Sequence, residues 1–386
     1  MRNVHPKVEE AIDTLNMKDS PTRRRLLKGT GLVSATGAAS ALLAACGSSS
    51  AKTSGGGSSS IGDFPSTPKW KYWFVNHVYT NPFFVPTQYG FADAAALLGL
   101  AKPNWGGSAS TSSVPEMVSY FNTAVSAKAD GIATSVISDT GFTTPISNAM
   151  NSGIPVVSYN SDGTYVNDKP SIGSNRLAYV GQSLFLSGQQ MGQRIQQLVP
   201  GGGDIVIFIA TPGTGNIQPR YDGAASVLPK GKYTLHEIAT GAATSGELAA
   251  EKAYLQAHKN TKGAFAVDAG STSFLPQALA ATGLKIPAGG FDTLTPTLQG
   301  IKSGALNFTI DQSAYMQGFL PVVYLYMFKL SGGLVHPPNT DTGLTFVTSD
   351  NISPYLESTR FEGSGTAQKL VPHSGPIKNP PATTST

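Results

Sequence analysis

The chain has 386 residues, 27 basic and 23 acidic side chains, a formal net charge of +4 and a single cysteine. That length accommodates a leader and two domains of ordinary size. So small a charge leaves no nucleic-acid footprint, and one thiol can form neither an internal disulfide nor a multi-cysteine metal site.

The first segment reads as an export leader. Arginines in "TRRRLLKG" (Thr22 to Gly29) precede a weakly apolar run rich in Gly and Ala that ends in small residues at Cys46. This is the basic, apolar and small-residue order of a signal peptide, and it is too short and glycine-rich to span a membrane, which takes roughly 20 strongly apolar residues. The Thr22–Lys28 stretch, with Arg23 and Arg24, resembles the twin-arginine export signal. Leu43-Ala44-Ala45-Cys46 resembles the bacterial lipobox, in which the cysteine carries the lipid. Residues 1–45 are therefore expected to be removed, leaving Cys46 as an acylated N-terminus on the outer face of the cytoplasmic membrane. Residues 46–67, with "GSSSAKTSGGGSSSIG", have no hydrophobic period and are expected to form a flexible spacer with ends on the order of 20 to 25 Å apart.

From Pro68 onward short apolar runs alternate with segments of helical spacing, the pattern of repeated βαβ units and a parallel sheet. Strands are predicted at 71–78, 131–137, 154–160, 204–210, 263–268, 287–292 and 306–311. Helices are predicted at 83–98, 114–128, 143–151, 178–198, 219–227, 247–258, 273–281, 294–303 and 314–330. So many units exceed one comfortable sheet, and "SIGSNR" (Ser171 to Arg176) marks a break, so the fold class is α/β with two Rossmann-like lobes. The tail, 363–386, is expected to be disordered.

In open α/β sheets ligands bind beyond the carboxyl ends of the strands. After the first strand comes Asn81-Pro82, a helix start in which Asn caps and Pro occupies the first position, followed by Phe83 and Phe84. An aromatic face there suits the apolar face of a sugar ring, and packing into the core is an equal alternative for either Phe. Asn160 and Asp162 close the third strand. Arg220 follows "TPGTGNIQP", whose glycines do not keep the GxGxxG spacing, and no GxxxxGK[ST] occurs. Asp268 and Asp292 end two further strands, where each could simply cap the next helix, and Gln312 follows another. Amides, carboxylates and a guanidinium at several strand ends fit a neutral polyhydroxylated ligand better than phosphate.

"TNPFF", "AKADGIATSVIS", "NSGIPVVSYN", "YVGQSLFLSGQQMG", "TPGTGNIQPRYDGA", "GGFDTLTPTLQGIKSGALNFTIDQ" and "YMQG", in this order, resemble the periplasmic-type sugar-binding proteins of ABC importers, ribose-binding branch. The resemblance implies the type I periplasmic binding protein fold, with lobes of residues 68–173 plus 313–343 and 174–312 plus 344–362. They would be joined by three crossings, near Gly173–Arg176, near Asp311–Ser313 and within Leu344–Asp350. It also implies that Asn81, Phe83, Phe84, Asn160, Arg220, Asp268, Asp292 and Gln312 contact the ligand. The implied function is a monomeric binding subunit, without cofactor, metal or catalysis, that closes on a pentose, hexose or sugar alcohol and delivers it to permease and ATPase subunits. Two departures put ribose itself in question: Asn160-Ser161 stands where many relatives carry Asp-Arg, and Asp268-Ala269 where they carry Asn before an acid.

Three other functions compete with this one, of which the sequence does not separate the first from import and disfavours the other two. A tethered sensor of a sugar-like signal would use the same closure. A glycosidase would need paired carboxylates, for which Asp268 and Asp292 are the candidates, whereas no GxSxG or HExxH occurs. A sugar-responsive repressor lacks its N-terminal helix-turn-helix.

Overall fold

The computed structural model describes residues 65–363 and Gly365, apart from Asp139, Thr164, Asn167, Asp168, 171–174 and Ser358. Arg23, Arg24, Cys46, the spacer up to residue 64 and the tail apart from Gly363 and Gly365 lie outside the described residues. No helix among those described is long and apolar enough to cross a membrane.

The first lobe is built on a six-stranded sheet. Its elements are β1 (Tyr72–Asn76), α1 (Val85–Leu97), β2 (Asn104–Gly107), α2 (Val114–Ser126), β3 (Gly131–Val136), α3 (Thr143–Asn151) and β4 (Val156–Asp162). A small hairpin, β5 (Tyr165–Val166) and β6 (Lys169–Pro170), precedes β7 (Tyr179–Gly181). The second lobe contains α4 (Leu184–Leu198), β8 (Gly203–Ile209), α5 (Gln218–Val227), β9 (Tyr233–Ala239), α6 (Thr244–Ala257) and β10 (Gly263–Ala266). It continues through α7 (Ala269–Thr282), β11 (Ala288–Phe291), α8 (Thr295–Lys302) and β12 (Phe308–Asp311). The chain then returns to the first lobe with α9 (Ala314–Leu330) and β13 (Thr340–Asp341), and ends in the second with β14 (Thr345–Val347).

The sheet orders are β13-β7-β4-β3-β1-β2 and β14-β12-β11-β10-β8-β9. Neighbours in both sheets run parallel except β12 and β14. Helices cover both faces, which is why the inner strands read as unbroken apolar runs. In β8, Ile205, Ile207 and Ile209 pack on one face with Phe265 and Phe291, while Val206 and Phe208 pack on the other with Leu275 and Leu298.

The crossings correct the sequence-based boundaries. β7 pairs with β4, so residues from 175 to 181 belong to the first lobe and the chain crosses at Gln182–Ser183. The polar "SIGSNR" stretch suggested an earlier break, and three strand residues directly ahead of a helix show no period that would oppose it. They also fall inside what reads as the start of a helix at Ala178. The second crossing is Gln312–Ser313, between β12 and α9, and the third is Thr342–Leu344, between β13 and β14. Arg360 and Phe361, assigned to the second lobe, lie against the first: Arg360 pairs with Asp93 at 2.8 Å and the Phe361 ring stands 4.9 Å from that of Tyr315.

In each lobe a helix pair comes into backbone contact through glycine. In the first, a Cβ on Gly318 would fall 2.0 Å from the Thr87 carbonyl and one on Gly90 2.1 Å from that of Tyr315. In the second, a Cβ on Gly188 would meet the Arg220 carbonyl and one on Gly223 that of Phe185, each at 2.1 Å. The α4–α5 contact fixes where Arg220 stands. Gly223→Val should therefore push the helices apart and cost about 1–3 kcal/mol, the usual cost of overpacking, read as a lowered thermal midpoint.

Candidate functional site

The carboxyl ends of both sheets face one cavity lined by the eight side chains that the resemblance implies contact a ligand: Asn81, Phe83, Phe84, Asn160, Arg220, Asp268, Asp292 and Gln312. It offers about 70 Å³ of room for water centres. That is room for a few ordered waters. Each hydroxyl of a small polyhydroxylated ring can take the place of one.

Local chemistry sets the first wall. Asn81 Oδ1 accepts from the Phe83 amide at 2.9 Å and caps a 3-10 turn, Pro82–Phe84, in front of α1. The two Phe rings meet edge to face at 4.7 Å, and Phe84 also packs against His77. Both rings are buried and both line the cavity, so core packing and a cleft-facing role coexist.

The second wall is ionic. Arg220 is fully buried; one terminal nitrogen donates to the Val267 carbonyl at 2.9 Å and the other to Gln182 Oε1 at 3.1 Å. Its guanidinium lies 4.2 Å from the Phe291 ring centroid, and its Nε has no hydrogen-bond partner. Burial lowers its pKa, opposed by Asp292 and Asp268. A buried donor without a partner costs about 1–3 kcal/mol, which a ligand oxygen would recover.

The two aspartates differ. Asp268 caps α7, its Oδ1 accepting from the Ser271 amide at 2.9 Å and its Oδ2 from the Ala210 amide at 2.8 Å and the Ser271 hydroxyl at 3.0 Å. Burial raises its pKa against those hydrogen bonds. Asp292 does not cap: α8 starts at Thr295 with Leu294 at the cap, and Asp292 adopts the left-handed region with φ 74. Asn160 is also left-handed, with φ 63. Such backbone costs of order 1 kcal/mol or more and clusters at functional sites. Asp292 is pushed up to about 6, by burial first, with Arg220 and the Gln312 amide opposing.

A chain of side-chain hydrogen bonds links the lobes. Asn160 Nδ2 donates to Gln317 Oε1 at 3.0 Å, Gln317 Nε2 to Gln312 Oε1 at 3.1 Å, and Gln312 Nε2 to Asp292 Oδ1 at 2.7 Å. All four residues are buried. Across the cleft, Asn216 Nδ2 meets His77 Nε2 at 3.2 Å, and the Gly215 amide donates to the Ile137 carbonyl at 3.1 Å. His77 Nδ1 lies 3.0 Å from the Ser135 hydroxyl, and burial lowers its pKa to about 4.

Sequence reasoning missed His77, Asn216, Glu247 and Gln317. The first two obey the strand-end rule, since His77 follows β1 directly and Asn216 lies in the loop after β8. Gln317 and Glu247 sit inside helices with no local signal. Asp162, read as a rim residue, is turned away from the cavity and pairs with Arg176.

Two lobes of this topology, three crossings and a polar cavity at the strand ends make a two-lobed α/β architecture with a ligand-sized site between its sheets. The periplasmic binding protein domain matches residues 72–331, and the chain belongs to that family. A Sulfolobus acidocaldarius protein described as the xylose/arabinose-binding protein XylF is 49% identical over 320 residues, covering 80% of this chain and 78% of that protein. Among solved structures, an ABC transporter solute-binding protein from Burkholderia graminis in complex with D-arabinose is 25% identical with TM-score 0.67, covering 76% of this chain and 100% of that one. AraP, an arabinose-binding protein from Geobacillus stearothermophilus, is 25% identical with TM-score 0.59, covering 75% and 100%.

Two outcomes follow from the buried charges. Asp292, whose pKa rises from 3.8 to about 6 on folding, favours the folded state fully only below pH 3.8, and that contribution is lost as pH rises through 6. At pH 7.5 its ionisation therefore costs the empty protein about 3 kcal/mol, at 1.36 kcal/mol per pH unit. Asp292→Asn should raise the thermal midpoint of the unliganded protein at pH 7.5 in a calorimetric scan. His77, whose pKa falls on folding from 6.5 to about 4, stays neutral while the unfolded chain takes a proton, so stability falls as pH drops from 6.5 towards 4. His77→Gln should flatten that acid limb by about 3 kcal/mol, measured by denaturant unfolding at each pH.

Proposed function

We propose that the protein is the substrate-binding subunit of an ABC importer for a monosaccharide, with a pentose such as xylose or arabinose first in rank. It is exported, held by lipid on Cys46 to the outer face of the membrane, and presents its closed form to the permease. The observation that carries this reading is the single small cavity lined by those eight side chains, from both lobes and the second crossing. The sugars named for the 49% identical relative and for the Burkholderia complex support the pentose choice.

The geometry suggests how a neutral sugar is held. Arg220 Nε donates to one oxygen, Asp292 accepts from hydroxyls through the lone pairs that Gln312 leaves free, and Asn81 and Asn160 contribute amide groups. Phe83 and Phe84 cover an apolar ring face. Bound sugar bridges the lobes and strengthens the contacts already made by His77, Asn216 and Gly215, so closure reports occupancy to the partner subunits. The spacer lets the body reach the permease while the lipid keeps it near the membrane.

Thermal stabilisation of the purified protein tests this directly, with pentoses, hexoses, polyols and amino acids as probes. A sugar at a hundred times its dissociation constant should add about 2.7 kcal/mol, a visible rise in midpoint. Arg220→Ala should remove the sugar-dependent rise while the unliganded transition stays cooperative. Stabilisation by amino acids and by no carbohydrate would sink the reading.

A further inference from the structure

Helix α6 carries two carboxylates one turn apart on its core-facing side. Glu247 and Glu251 are buried, alongside Leu248 and Leu255, which pack into the second lobe's core. Neither has a hydrogen bond or an ion pair to compensate it: Glu247 Oε2 and both oxygens of Glu251 are buried without a partner. Such groups cost several kcal/mol when ionised and unpaired, so surroundings of this kind keep a carboxyl neutral.

The surroundings contain no cation to change that balance. From α7 and its cap, the charged group facing both carboxyls is Asp268, which adds repulsion. On α6 itself the two glutamates repel each other; β10 carries no titratable residue; on β9, His236 pairs with Asp204 and Glu237 responds to Asp222. Arg220 acts on Asp268, and no cation is felt by either glutamate. Nor do the carboxyls converge as a metal site would among the described residues.

Glu247 is placed for a use that Glu251 is not. It lines the cavity beside Asp268, Ala269 and Gly270. Its carboxyl occupies space that only a glycine at 270 leaves open, since a Cβ there would stand 2.2 Å from Oε2 and 2.4 Å from Oε1. Around the cavity Asp268 and Asp292 supply acceptors. A protonated carboxyl supplies a donor on the same side.

We propose that Glu247 is an additional ligand-contacting residue, whose neutral carboxyl donates its O–H to an oxygen of the bound sugar, so that removing this proton weakens binding. The proposal rests on the sugar-binding reading above. Burial and Asp268 push Glu247 up to about 8 and Glu251 to about 10, so Glu247 is the first of the pair to ionise as pH rises. Affinity should thus hold near neutrality and fall through pH 8, with a charge replacing the donor. Of the other groups at the cavity, Asp292 titrates near 6 and His77 near 4, while burial also raises Asp268 beside Glu247, so the Glu247→Gln variant and not the alkaline fall by itself assigns the proton.

Calorimetric titration of the purified full-length protein with D-xylose and L-arabinose at pH 7.5 and 9.5 tests this. The wild type should lose about tenfold or more in affinity between the two. Glu247→Gln, which keeps a neutral donor, should bind within about threefold of wild type at pH 7.5 and lose the alkaline fall. Glu247→Ala should bind about tenfold more weakly, the effect of one hydrogen bond worth about 1.4 kcal/mol. Thermal midpoints without sugar separate a lost contact from a lost fold. An alkaline fall unchanged in Glu247→Gln, or wild-type affinity in Glu247→Ala, overturns the assignment while leaving the sugar reading intact if Arg220→Ala still abolishes binding. Absence of binding to either sugar by the wild type at both pH values overturns the pentose ranking and, with it, the Glu247 contact to these sugars.

Discussion

The structure turns on the line of buried amides from Asn160 through Gln317 and Gln312 to Asp292, because it ties the site in one lobe to the site in the other through the crossings themselves. Gln312 sits in the second crossing, and its main-chain carbonyl accepts from Gln317 Nε2 at 3.0 Å and from the Thr342 hydroxyl of the third crossing at 2.7 Å. Gln182, in the first crossing, accepts from Arg220 and donates to the Gly343 carbonyl at 3.2 Å. A buried amide has several donors and acceptors to satisfy and leaves little choice of geometry once it is enclosed. Several of the groups that line the cavity are thereby the same groups that hold the crossings together.

Around that line the cavity walls carry uncompensated cost. Asp292 and Asn160 are left-handed, Arg220 Nε lacks a partner, and Asp292 is charged at neutral pH against its desolvation. The lobes supply the rigidity that sustains these states: glycine-mediated helix contacts on each side and sheets buried on both faces. A neutral ligand with both donors and acceptors relieves several of these costs together, whereas a purely anionic one would relieve Arg220 and aggravate Asp292 and Asp268.

The legible part of the fold was its interior. Strands β1, β3, β4, β8, β10, β11 and β12 are covered on both faces and read as apolar runs. The four strands at the sheet edges, β2, β9, β13 and β14, were missed as strands because each is short, rich in Gly or polar residues, or half exposed. In the site, the strand-end rule reached Arg220, Asp268 and Asp292, and Asn81 was legible as a cap from the Asn-Pro pair. Asp292 was not legible as left-handed, since the same residue at the same strand end would equally well start a helix.

By itself the sequence determined which residues could be inside and which strand ends carry polar chemistry, since burial and helix starts depend on neighbours a few positions away. The tertiary structure alone decided where the chain passes between lobes, that eight distant side chains share one cavity, and that Glu247, His77 and Gln317 belong with them. Those facts depend on contacts between residues as far apart as Asn160 and Gln317, on which no local period or spacing bears.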